Sequence, residues 1–93
     1  MDARLRKLIA RAQRTVREGR RRILAQQALL ARLDPASADA AIARQVLHSH
    51  MVTQMILEGH LAELRQILRD RQRSRDSAGN GRRAAGQDSD ELA

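Results

Sequence analysis

The chain has 93 residues, 18 of them Lys or Arg and 11 Asp or Glu, for a formal charge of +7, and it contains no Cys, Trp, Tyr or Phe. That length allows one small domain. The missing cysteines exclude disulfides, thiolate nucleophiles and thiolate metal sites, and the missing aromatics exclude the base stacking that sheet-based RNA readers use.

The first periodic segment runs from Asp2 to Leu33. Leu5, Ile9, Ala12, Val16, Gly19, Ile23, Gln26, Leu30 and Leu33 follow one another at alternating spacings of four and three, the signature of a coiled-coil seam. With Ile9, Val16, Ile23 and Leu30 at heptad position a, the basic residues Arg4, Lys7, Arg11, Arg14 and Arg21 take positions c and f on the opposite, solvated face. The segment Arg4 to Arg17, rich in Arg and poor in acids, also has the composition of an interfacial helix, but the first helix of a hairpin has the same composition.

The only proline, Pro35, marks the break. Asp34 is suited to cap a helix start with Pro35 at its first position, and Ser37 is the alternative cap. The turn is therefore expected over 34–37, between helices over 2–33 and 38–74 that form the domain 1–75. In the second helix Ala43, Val46, His50, Thr53, Leu57, His60, Leu64 and Ile67 repeat the seam spacing, flanked by Leu47, Leu61 and Leu68. From Asp76 the sequence is polar and glycine-rich without apolar period, which predicts a disordered tail over 76–93.

Folded back antiparallel about the break, seam residues face each other where their numbers sum to about 76. Gly19 is then opposite Leu57, Ala12 opposite Leu64 and Gln26 opposite His50, so small side chains meet large ones and two polar groups meet. The stripe on the second helix is too wide for one partner. Leu47, Met51, Met55, Ile56, Leu61 and Leu68 are left as a candidate partner surface, suited to a homodimeric four-helix bundle or to a partner helix.

Catalytic chemistry finds no support in the sequence. His48 and His50 are two residues apart, on opposite sides of a helix, and His50 and His60 are separated by about 15 Å of helical rise, so one chain cannot gather them around a metal. They are expected as seam residues, where an imidazole that charges near neutrality would make the interface pH-sensitive. Ser37, Ser49 and Thr53 belong to no His and acid triad, and no glycine-rich phosphate loop is present. No enzyme, metal or cofactor is expected.

The positive charge is unevenly placed. Residues 1–33 hold 10 basic and 2 acidic groups, 34–68 hold 2 and 4, and 69–93 hold 6 and 5. Arg4, Lys7, Arg11, Arg14 and Arg21 are thus a candidate phosphate-binding face, since arginine grips phosphate bidentately. No base-reading motif accompanies them.

The segment Val16-Arg17-Glu18-Gly19, then Arg22-Ile23, Gln26 and Leu29-Leu30-Ala31-Arg32-Leu33, with Asp39, Ala43, Leu47, Thr53, His60 and Leu64 after the break, resembles a group of short alphaproteobacterial proteins. The likeness spans roughly Val16 to Leu68, and its most specific part is V-x-E-G-x-x-x-I-x-x-Q. It implies a helical hairpin and supplies no catalytic residue. The chain departs from that group in turning through Asp34-Pro35 where the group has a Gly-x-Asp-Thr segment, and in carrying His50 where the group often has an aromatic. The combined expectation is an all-α antiparallel two-helix coiled coil, cytoplasmic, with no stable membrane insertion. It would act without catalysis through self-association or a protein partner, or alternatively by sequence-nonspecific nucleic-acid binding.

Overall fold

The computed structural model is a hairpin of two helices, α1 (Asp2–Arg32) and α2 (Ala38–Leu92), with no strand among the described residues. The backbone is described from residue 2 to 92 and side chains from 2 to 78, so the expectation of a disordered tail over 76–93 lies, after Ala78, outside the described side chains.

The turn is built by Asp34 and Ser37 acting in sequence. The Leu33 amide bonds to the Leu30 carbonyl at 3.2 Å and tightens the end of α1. Pro35 then occupies the second position of a turn closed by the Ser37 amide on the Asp34 carbonyl at 2.9 Å, while Asp34 Oδ1 accepts from the Ala36 amide at 3.1 Å. The cap of α2 is Ser37, whose Oγ accepts from the Ala40 amide at 3.1 Å. Asp34 and Pro35 therefore shape the turn and do not start the helix, because the Asp34 carboxylate is already engaged within the turn.

All nine seam residues expected in the first segment, from Leu5 to Leu33 just past the end of α1, are buried or half-buried. On α2 the inward residues are Ala40, Ala43, Leu47, His50, Gln54, Leu57, Leu61, Leu64 and Leu68. Ala43, His50, Leu57 and Leu64 stand where expected. Val46, Thr53, His60 and Ile67 do not: each is exposed, and the residue that follows it takes the seam position. The alternative sets explain the choice. One offers Val, Thr, His and Ile, the other Leu, Gln, Leu and Leu, and three leucines remove more apolar surface from water than a valine and an isoleucine. Leu47, Leu61 and Leu68, expected as partner surface, are thereby consumed inside the hairpin.

The register moves with them. Gly19 lies against Gln54, so facing residues have numbers summing to 73, and Leu57 is one layer away beside Val16. The expected complementarity of sizes persists with different members: Leu33 opposite Ala40, Leu30 opposite Ala43, Gly19 opposite Gln54 and Ala12 opposite Leu61. The expected Gln26 to His50 pair is absent, and Gln26 Nε2 donates to the Ala43 carbonyl at 3.1 Å instead. The most apolar part of the seam lies away from the turn, where Leu5, Ile9, Val16 and Leu61 are buried with Ala12, Leu57, Leu64 and Leu68 around them. Beyond it Asp2, 7% exposed, is ion-paired with Arg75 and closes the open end of the hairpin.

Candidate functional site

A hairpin one layer thick, 14 Å in its smallest dimension, covers one stripe of each helix and leaves two broad faces. The two faces differ in chemistry. In an antiparallel pair the heptad e positions of both helices border one face and the g positions the other. The e border carries Gln13 and Arg20 from α1 and Arg44, Glu58 and Arg65 from α2. Arg20 there donates through Nε and Nη2 to Glu58 Oε1 at 3.1 and 3.0 Å. Both side chains are largely exposed, so the pair contributes at most about 1 kcal/mol.

The g positions are apolar at the two ends of the hairpin, with Leu8 and Ile67 at one and Leu29 and Val46 at the other, and carry Thr15, Arg22, Thr53 and His60 between them. Leu8 and Leu29 of α1 stand beside Ile42, Val46, Ile56 and Ile67 of α2, all at least 38% exposed. Two hollows mark this face. One is lined by Leu8, Ala12, Thr15, Leu57, His60 and Leu64, with Arg11 at its edge. The other lies near the turn and is lined by Gln26, Leu29, Leu33, Ile42, Ala43 and Val46, with Asp39 at its edge. The charged residue among the g positions is Arg22, which has Glu18 at 4.0 Å one turn away.

This face is not the surface expected from the sequence. Of that set only Met51, Met55 and Ile56 remain exposed, and they do not form one strip: Ile56 belongs to the g face, whereas Met51 and Met55 lie toward the e border. Leu24, also exposed, lies on that side of α1. Leu8 and Leu29 lie off the seam spacing of the first helix, whereas Ile42, Val46 and Ile67 become a surface only once the phase of α2 is known.

Inside the seam the structure brings together a group that the sequence did not single out. Gln54, 6% exposed, donates from Nε2 to the Val16 carbonyl at 2.8 Å, and its Oε1 is buried against Gly19. A Cβ on residue 19 would fall on that amide, with Gln54 Cδ at 2.9 Å. Gly19 thus leaves room for the Gln54 amide, which a Cβ would force to swing away. Gly59 is different, since nothing lies within 4 Å of a Cβ there.

The remaining candidates stay apart. His48 lies on the outer side of α2, His50 is half-buried in the seam and His60 is at the edge of an apolar hollow. Among the described residues no group of three His, Cys, Asp or Glu side chains is placed to hold a metal ion. Arg4, Lys7, Arg11, Arg14 and Arg21 are all exposed, with Lys7, Arg14 and Arg21 along the back of α1 and Arg4 and Arg11 on the shoulder next to the apolar face. Among the described residues no helix is long and apolar enough to cross a membrane. No family model, no curated protein and no solved structure matches the chain.

Proposed function

We propose that this is a non-catalytic helical-hairpin protein of the cytoplasm that works by protein-protein association, its apolar g face being the surface that associates. The observation that carries this reading is that six of the ten exposed large hydrophobics among the described residues, Leu8, Leu29, Ile42, Val46, Ile56 and Ile67, lie on one side of the hairpin, while Leu24, Met51, Val52 and Met55 lie elsewhere and the other border also holds Arg20, Arg44, Glu58 and Arg65. Side chains that only filled gaps in the seam would have no reason to favour one face, and exposed apolar clusters of this kind, here gathered around the two hollows, mark interaction surfaces.

The test is a pair of substitutions, Leu29→Glu and Ile42→Glu, on exposed positions that the hairpin itself does not need. Wild-type protein is expected to sediment above its monomer mass, alone or with a captured protein, while the variant keeps its helical circular dichroism and sediments as a monomer. Association that survives both substitutions would refute the assignment of this face.

A second reading rests on the exposed cationic strip Arg4, Lys7, Arg11, Arg14 and Arg21, none of which is ion-paired among the described residues. Phosphate contacts by such a strip predict nucleic-acid retention that falls steeply between about 50 and 200 mM salt. Nuclease-resistant association of the wild-type protein would favour the first reading over this one.

A further inference from the structure

From the charges that rim the apolar face we infer that its occupant is a second copy of this chain, laid face to face with both turns at the same end, so that α1 of each copy lies along α2 of the other. The inference rests on the association proposed above and adds the partner and its direction.

Two symmetric arrangements bring the g faces together. With the two-fold axis along the helices, the turns coincide and α1 meets α2 of the second copy in the same register as within one hairpin. With the axis across the helices, the turns lie at opposite ends and α1 meets α1. Both put apolar residues against apolar residues, Leu8 at the level of Ile67 and Leu29 at the level of Val46 in the first, Leu8 at the level of Leu29 in the second. Charge separates them.

The rim beside the apolar face is formed by heptad position c. On α1 this gives Arg4, Arg11, Glu18 and Arg32, and on α2 it gives Ile42, Ile56, Glu63 and Asp70. In the turns-together arrangement Arg4 lies over Asp70 of the second copy and Arg11 over Glu63 of the second copy, while Glu18 and Arg32 lie over Ile56 and Ile42 of the second copy and meet no like charge, and the symmetry repeats all four. In the turns-apart arrangement Arg4 lies over Arg32 of the second copy and Glu18 over Glu18, while Glu63 and Asp70 meet no cation. The first 33 residues hold 10 basic groups against 2 acidic ones, so stacking α1 on itself is opposed along its length. Arg22 is accommodated because each copy brings Glu18 beside it, at 4.0 Å.

The area is sufficient. A face as long as the 31-residue α1, about 46 Å, and two helices or about 20 Å wide offers roughly 900 Å² per copy, against about 800 Å² per partner in a standard interface. The product is a four-helix bundle in which every neighbouring pair of helices is antiparallel.

The chain has no cysteine, so Ala36→Cys places a single nitroxide label in the exposed turn of the full-length protein. Pulsed electron-electron resonance is expected to give a label separation below about 30 Å, since the two turns share one end. A dimer with labels beyond about 45 Å, the length of α1, overturns the proposed direction while leaving association intact. A monomer by sedimentation at 100 µM overturns association as well. Charge reversal supplies an independent check on exposed residues: Glu63→Lys with Asp70→Lys should weaken dimerisation at least about tenfold, and adding Arg4→Glu with Arg11→Glu should restore it. Equal dimerisation in all three proteins would overturn the pairing.

Discussion

Replacing Gly19 by alanine sets two effects of opposite sign against each other, and their sizes follow from the structure. Alanine in a helix interior is favoured over glycine by about 1 kcal/mol. At position 19 the new Cβ takes the place of the Gln54 amide, which must leave its buried position and break the 2.8 Å bond from Nε2 to the Val16 carbonyl. Loss of a partner by a buried polar group costs about 1–3 kcal/mol. With about 2 kcal/mol for that loss, Gly19→Ala should destabilise the hairpin by about 1 kcal/mol. In a Gln54→Ala background the obstruction is gone, and the same substitution should stabilise by about 1 kcal/mol. The cycle therefore predicts a coupling of about 2 kcal/mol between residues 35 apart in sequence. Gly59→Ala is the control: with open space around it, it should stabilise both backgrounds by about 1 kcal/mol. Urea denaturation followed at 222 nm, at one fixed protein concentration, measures all of these. If Gly19→Ala stabilises the wild-type and Gln54→Ala chains equally, the two residues do not face each other and the register is wrong.

Other substitutions separate the remaining assignments. In the non-associating Leu29→Glu, Ile42→Glu background, Leu61→Ala should cost about 3 kcal/mol in the same urea assay, whereas Ile67→Ala should cost less than about 1 kcal/mol; the reverse order would return α2 to the other heptad phase. Ser37→Ala should cost about 1 kcal/mol through loss of the α2 cap, and a neutral result would remove Ser37 from that role. Arg20→Ala should change the urea midpoint little, by less than about 1 kcal/mol in stability, and a larger loss would mean that the e border is less open to water than its exposure indicates.

Much of the fold was legible because the information is local. Thirty-one residues of α1 carry an unbroken heptad, and one proline marks the turn. What was not legible is the phase of α2, since Val46 and Leu47, His60 and Leu61, and Ile67 and Leu68 are adjacent pairs that differ only in which helix face they occupy. The deciding signal was the pairing of the only glycine in α1 with a glutamine that interrupts a leucine series, a relation that exists only between the two helices. The same ambiguity hid the proposed association surface, because a change of one residue in phase exchanges Leu47, Leu61 and Leu68 with Val46, His60 and Ile67. The cap was misassigned for a different reason: Asp34 and Ser37 are both competent, and the turn geometry consumed the aspartate first.

The order of layers along the seam bears on how the hairpin closes. Next to the turn, Leu30 and Leu33 face the small side chains of Ala43 and Ala40, contacts of short sequence separation that close with a small loss of chain entropy and release little energy. The middle is interrupted by Gly19 with Gln54 and by Ile23 with His50. The richest cluster, Leu5, Ile9, Val16 and Leu61, forms across the longest stretches of chain, and a zipper growing from the turn reaches it last. Helix ends fray first, so the strongest contacts sit where thermal opening would otherwise begin, and the Asp2 to Arg75 ion pair fastens the outermost turn. Closure is therefore cooperative between two distant ends: a chain zipped only as far as Gly19 holds little, and one that reaches Leu5 is held from both sides of its polar middle.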